Sequence, residues 1–412
     1  MTRSVWYYTD TDQLGGAERV ILTLFAGLDR AVWEPSLVCH RSPGIAPLVQ
    51  RARDHGAAVI ETPPMPLGVV GGRAAVPFAR GLRRAGPDVF HAHLAWPLAA
   101  KFALVAAVAA RVPAVVATVH SFPEFRLDRS SYVQWRFLAY GVDAFIAISG
   151  GVADALRTRM HWPRSKIAVI HNGVELDAYA RMPGAAVRKS LVGAQTGTLV
   201  LTVSRLVEDK GIEHLLAAAA ELPDAQFVIA GDGPDRSRLE ELALHLRVDD
   251  RVTFVGHRDD VPELLTACDM LVLPTLWEGA QNSRRPLRPN QTDAAFDPSS
   301  RFLPLAVLEA MAANRPVIMT QLRQGDAITH GVNGLHVPAA DPHALSEAIR
   351  RLSADRELCD RLAANGLTTV RGSFSAAATV QEVTSLYSSL LAREPKRWSH
   401  RRPSIHTGTA EV

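Results

Sequence analysis

The residues with the most chemistry in this chain stand directly after short apolar runs. Arg205 and Lys210 follow the run Leu199–Ser204, His120 follows Ala114–Thr118, and Glu278 follows Met270–Leu273. Glu309 lies within a helix-periodic apolar segment, Leu303–Ala313. A short apolar run bounded by turn residues reads as a strand buried on both faces. A side chain just beyond such a strand projects from the carboxyl edge of a parallel sheet, where open sheets bind ligands. Arg205 and Lys210 sit on one strand–helix loop, a planar fork and a compact charge able to meet one diphosphate. Each group also has a plainer reading. The two cations could be solvated, His120 a loop residue, Glu278 a solvated loop acid and Glu309 a helix-dipole partner.

The elements that must carry these groups repeat in a regular way. Strand-like runs recur at Ser4–Tyr8, Pro35–Cys39, Ala58–Thr62, Val89–His91, Ala144–Ile148, Ile167–Ile170, Phe227–Ala230, Arg251–Gly256 and Pro316–Thr320, with helical segments between them. This alternation predicts an α/β fold with parallel, doubly wound sheets. With 412 residues, two domains are the natural expectation. The stretch 181–197 loses periodicity and gathers Pro183, Gly184, Gly193 and Gly197, so it reads as the linker. The predicted division is a first domain over 1–180, to which a helix over 374–391 returns, and a second over 198–373. The polar stretch 280–302 reads as an insertion in the second domain, broken by Pro286, Pro289 and Pro298. The basic, aperiodic tail 395–412 reads as disordered.

Composition excludes several classes. A net charge of +3 lacks the basic excess of a nucleic-acid protein. Cys39, Cys268 and Cys359 are scattered, with no disulfide framework or metal spacing, which points to a reducing cytoplasm. The most apolar region, Ala95–Thr118, has only nine uncharged residues between Lys101 and Arg111, so it reads as a buried helix and strand. No signal peptide is visible at Met1–Tyr8. Arg73, Arg80, Arg83 and Arg84 cluster on one predicted helix, either as a solvated face or as a contact for an anionic membrane surface. His91 and His93 alternate on one strand face, a spacing that would suit zinc, but no third ligand is evident and no metal site is assigned.

Several of these stretches, read together, resemble a known family. If 280–302 is looped out, Glu278 and Glu309 are separated by seven residues, Gly279 and Leu303–Leu308. That spacing resembles the retaining glycosyltransferases of carbohydrate-active family four, which have two Rossmann-like domains facing a cleft (GT-B architecture). Gly15-Gly16-Ala17-Glu18-Arg19 after the first strand is similar to the family's opening loop. Ser204-Arg205-Leu206, then Lys210-Gly211, resembles one of its most specific signatures, and Gly331–Gly334 its later pattern. The segment 321–328 departs from it: a glycine pair and an acid are usual there, and only Gly325 and Asp326 stand for them.

The resemblance implies a nucleotide-diphosphate sugar as co-substrate and a hexose-type sugar moved to a glycan or lipid-linked acceptor, with retention, without a metal or resident cofactor. It places Gly15 and Gly16 beside the donor phosphates, with Arg205, Lys210 and the helix amino terminus near Leu305 neutralising them. It puts Glu309 on the ribose hydroxyls, Glu278 on the donor sugar, His120 near the reacting carbon, and the backbone at His257 and Arg258 beside the base. It further implies polysaccharide biosynthesis, while the cysteines point to the cytoplasm and the arginine cluster to a peripheral place at the inner membrane face. Two other readings use the same fold: a nucleotide-sugar epimerase or hydrolase, and a non-catalytic sugar- or partner-binding relative.

Overall fold

The computed structural model describes residues 2–66, 69–122, 129–180, 184–193, 197–276, 304–321 and 327–393. Glu278, the insertion 280–302, the departure at 322–326 and the tail 395–412 lie outside the described residues.

Two parallel sheets carry the chain. The first is built from β1 (Arg3–Thr9), β2 (Trp33–Cys39), β3 (Ala58–Glu61), β4 (Val89–Leu94), β5 (Ala114–Val119), β6 (Ala144–Ala147) and β7 (Ile167–Val169), in the spatial order 3-2-1-4-5-6-7. The second uses β8 (Thr198–Val203), β9 (Ala225–Ala230), β10 (Val252–Gly256), β11 (Met270–Leu273), β12 (Val317–Thr320) and β13 (Leu335–Val337), in the order 10-9-8-11-12-13. Every described strand pairing is parallel. Parallel strands need helical crossovers, and these bury both faces of each sheet. That is why β4, β5, β6 and β11 are buried at every position. One face of the first sheet packs Phe78, Leu82, Leu104 and Leu156, and the other packs Ile21, Leu24 and Tyr387.

The order of strands reverses direction between β1 and β4 in the first sheet and between β8 and β11 in the second. Loops leaving neighbouring strands at such a point run to opposite faces and leave a crevice at the carboxyl edge.

The stretch 181–197, expected as an aperiodic linker, contains a helix, Gly184–Val192. Its Arg188 bonds the Ala267 carbonyl at 3.1 Å and the Asp269 carboxylate at 3.0 Å. Gly184 sits so close to Thr266 that a Cβ there would lie 2.2 Å from its carbonyl oxygen. Tertiary contacts with the neighbouring helix Val261–Ala267 and with Asp269 hold a helix whose own periodicity is weak.

The last helix, Ala376–Leu391, returns to the first sheet and buries Val380, Val383, Tyr387 and Leu390 there. It packs on the helix Gly16–Gly27, where a Cβ on Gly27 would meet Val380 Cγ2 at 2.7 Å. The two chain crossings between the sheets are joined, Val174 N–H donating to Phe374 O and Ala376 N–H to Val174 O.

Candidate active site

The loop after β1 is organised by Glu18. Its carboxylate accepts from the Gly15 N–H at 2.9 Å and from the Thr9 hydroxyl at 3.0 Å, closing the loop over the strand end. Burial pushes this carboxyl up, and the bonds from Gly15 and Thr9 oppose that rise. Gly16 opens the helix, and a Cβ there would stand 3.7 Å from Leu305 Cδ1. Leu305 opens the helix Leu305–Ala312 of the second sheet. Two helix amino termini therefore meet across the crevice, an edge where first-turn N–H groups and the helix dipole favour an anion.

Arg19 crosses from the first of these helices to the second. Its Nη1 lies 3.6 Å from Glu309 Oε1, with the carboxylate side chain only 12% exposed. Burial raises the Glu309 carboxyl and the Arg19 charge counteracts it. Tyr179 sits close enough for the Glu309 charge to add to the burial that raises its phenol.

On the second sheet, the Arg205 loop rests on the turn after β9. Leu206 N–H donates to Asp232 O at 2.9 Å, and Asp235 N–H to Leu206 O at 3.1 Å. Glycine is required beneath it: a Cβ on Gly231 would fall 1.8 Å from Ser204 O, and Gly231 holds a φ of +145°. A cleft of about 460 Å³ is lined by Gln13 from the first domain and by Arg205, Val207, Asp232, Gly233 and Pro234. Arg205 is exposed, and among the described residues it has no ion-pair partner. Lys210 does not line this cleft; its Nζ is 3.0 Å from Asp209 Oδ2. Leu276 N–H donates to Asp209 O, tying the loop to the chain leaving β11.

His257 and Arg258 stand after β10. Arg258 grips Asp260 through Nε at 2.7 Å and through Nη2. His257 is 3.9 Å from Asp259, which in turn pairs with Arg51 of the helix Ala46–Asp54 at 3.1 Å. This is a second ion pair between the two halves.

His120 lies at the end of β5, 6% exposed. Its Nε2 is 3.0 Å from His93 Nδ1. His91 lies behind them, its Nε2 2.7 Å from Thr118 Oγ1 and its Nδ1 2.5 Å from the Tyr387 hydroxyl. Burial holds His120 and His91 down to about 3, and His93 well below the usual imidazole range, so all three are neutral at pH 7. The His91–His93 alternation thus forms a buried hydrogen-bonded row, and among the described residues no group of three or more potential metal ligands occurs. Register explains the grouping: Thr9 pairs His93 and His93 pairs Thr118, so the ends of β1, β4 and β5 lie side by side.

The structure thus brings Gly15, Gly16, Leu305 and Glu309 together, sets Arg205 opposite Gln13, and places His120 at the end of β5 on the first sheet. Sequence reading passed over Arg19, although it stands in the Gly-Gly-Ala-Glu-Arg stretch, because its partner lies far along the chain. It also left open what His93 bonds.

Residues 14–178 match the family described as Glycosyltransferase Family 4, and residues 186–280 and 290–355 match two families described as Glycosyl transferases group 1. The chain belongs to glycosyltransferase family 4. It is similar to the lipopolysaccharide core biosynthesis glycosyltransferase LpsE of Rhizobium meliloti, 30% identical over 61% of this chain and 65% of that protein. It is 27% identical to the alpha-D-kanosaminyltransferase of Streptomyces kanamyceticus, over 59% of this chain and 60% of that protein. The matched stretch therefore spans less than two thirds of either relative. A fuller match is the UDP-Gal:alpha-D-GlcNAc-diphosphoundecaprenol alpha-1,3-galactosyltransferase of Escherichia coli, 25% identical over 91% of this chain and 94% of that protein. Among solved structures, HepE of Anabaena in complex with UDP and glucose superposes with a TM-score of 0.75 at 20% identity, covering 94% of this chain and 100% of that one. A glycosyltransferase from Rickettsia africae gives 0.79 at 18% identity, over 95% and 100%. These likenesses assign the family-4 chain the GT-B fold, two Rossmann-like halves with the last helix returning to the first.

Proposed function

We propose that this family-4 protein moves a hexose-type sugar from a nucleotide-diphosphate sugar to a glycan or lipid-linked acceptor, with retention of anomeric configuration. The observation that carries the reading is the crevice at the two strand-order reversals. It brings two helix amino termini against each other, sets Arg205, without an ion-pair partner among the described residues, opposite Gln13, and holds the largely covered Glu309 beside Arg19. HepE, with the same fold, is described in complex with UDP and glucose. The Escherichia coli relative's printed substrate is a diphosphoundecaprenol-linked sugar, which supports a lipid-linked acceptor.

The proposed chemistry follows from charge. Breaking the bond between the anomeric carbon and the diphosphate builds positive charge on the sugar and negative charge on the leaving phosphate. Fixed donors at that phosphate lower the barrier because they need no reorganisation. Arg205, Lys210 and the amino termini at Gly16 and Leu305 are the donors assigned here. Lys210 exchanges Asp209 for the phosphate as donor binds. Glu309 accepts from the ribose hydroxyls, Glu278 from the donor sugar, and the backbone at His257 and Arg258 meets the base. Neutral His120 donates to or accepts from the sugar and is not a nucleophile, since the leaving phosphate takes the acceptor's proton in same-face attack. Closure of the two halves excludes water, which would otherwise compete as acceptor.

The test is a screen of purified protein against nucleotide sugars, with free nucleotide as readout, with and without undecaprenyl-diphosphate sugar, and with a chelator. Acceptor-dependent nucleotide release that survives the chelator, with NMR showing a retained anomeric configuration, is the expected result. Release without acceptor would favour a hydrolase or epimerase. Activity restored only by a divalent metal would refute the proposed charge scheme.

A further inference from the structure

We propose that His93 is the positioning residue of the site: its Nδ1–H donates to His120 Nε2 and leaves His120 with its own proton on Nδ1. The inference rests on the reading of His120 as the group beside the donor sugar. The two nitrogens are 3.0 Å apart, and only one of them can hold the hydrogen between neutral rings. The second nitrogen of His93 decides which. His93 Nε2 is buried and, among the described residues, has no hydrogen-bond partner.

If His120 were the donor, His93 would carry its own hydrogen on Nε2, an orphaned N–H in a sealed interior. Such groups are rare because they forfeit the full desolvation cost. If His93 donates from Nδ1, its Nε2 keeps only a bare lone pair, the less costly vacancy. His120 then accepts at Nε2, and its proton must sit on Nδ1. Among the described residues that atom has no hydrogen-bond partner, and the residue keeps 6% of its surface exposed. An N–H there is a fixed donor for an oxygen of the transferred sugar or of its phosphate.

The row behind His93 keeps its ring in place. The His91 ring lies against it, tilted by 36° with 4.4 Å between ring centres, and His91 is held by Thr118 and by Tyr387 from the returning helix. His93 is therefore not free to flip and exchange the roles of its nitrogens.

Two variants separate the donor from mere packing. His93→Asn keeps an amide N–H where Nδ1–H stands, and His93→Leu removes it. Nitrogen-15 NMR of the histidine rings reads the tautomer directly, without activity. The expected result is Nδ1–H on His120 in the native protein and in His93→Asn, and a changed tautomer ratio in His93→Leu. Turnover should fall about tenfold in His93→Leu, the rate equivalent of one hydrogen bond, with donor KM little changed and His93→Asn near native. Nε2–H on His120 in the native protein would overturn the proposal. So would native turnover in His93→Leu when His120→Ala is impaired. If His120→Ala keeps native turnover, the catalytic reading of His120 fails, and the tautomer measurement still judges His93. If His93→Leu does not fold, the native spectrum decides.

Discussion

Replacing Arg19 by methionine should destabilise the protein in a pH-dependent way, because it leaves Glu309 buried without its counter-charge. At 3.6 Å, the bare attraction at an effective dielectric of about 20 would be about 4–5 kcal/mol. Desolvation takes back most of that. Exposed pairs are worth about 0–1 kcal/mol, and breaking a fully buried pair costs about 3–5 kcal/mol. Arg19 is 29% exposed and Glu309 12%, between these limits, so about 1–2 kcal/mol is the expected loss. The pH sign follows from Glu309. Burial raises its folded carboxyl above the unfolded value, so ionising it costs stability as pH rises through the folded range. Arg19 offsets that cost, and methionine removes the offset. Below the unfolded carboxylate value Glu309 is protonated in both proteins and the difference vanishes. A differential melting series should therefore show Arg19→Met close to native near pH 4.5 and about 2–6 °C lower at pH 8. Arg19→Lys should recover most of the loss. An equal loss at both pH values would refute the charge argument, and no loss at either would show that the two halves are not coupled through this pair.

Arg205→Ala and Lys210→Ala should each cost about 2–4 kcal/mol of transition-state stabilisation in donor turnover, with circular dichroism unchanged. Near-native turnover in both would reject the phosphate role. The helix Val69–Ala85 exposes Arg73, Arg80, Arg83 and Arg84 beside Val69, Val70 and Val76, which are 72%, 67% and 52% exposed. Changing the four arginines to glutamate should abolish flotation with anionic vesicles, since each cation near such a surface contributes about 1 kcal/mol. Equal flotation with neutral vesicles would refute this face as an anionic-lipid contact. Joining Gly279 to Leu303 restores the seven-residue spacing between Glu278 and Glu309. This deletion should keep the melting temperature and raise the donor KM if the insertion covers the donor, and unchanged kinetics would show it inert.

Much of the fold was legible in the residues themselves. Apolar runs such as Leu199–Ser204 and Ala114–Thr118 marked strands because a parallel strand buries both faces and tolerates few polar side chains. Caps were equally local: Asp341 before Pro342 and Ser149 before Gly150 each accept a backbone N–H of their helix. The glycine pair and the Arg205–Lys210 spacing could be read in the same way, since a loop of a few residues fixes its own reach. The helix Gly184–Val192 was missed because it is held by Ala267 and Asp269, not by its own pattern.

What the sequence determined by itself is the set of elements and the groups standing at their ends, since periodicity and turn chemistry act over a few residues. Tertiary structure alone decided which ends meet. The order 3-2-1-4-5-6-7 sets β1, β4 and β5 side by side, and only then does His93 reach His120 and Thr9 lie beside His93. Arg19 finds Glu309, and Tyr387 finds His91, across most of the chain's length. Charge state was decided there as well. A histidine held near 3 or a raised carboxyl reflects the water displaced by every element packed around it, a sum that no local pattern carries.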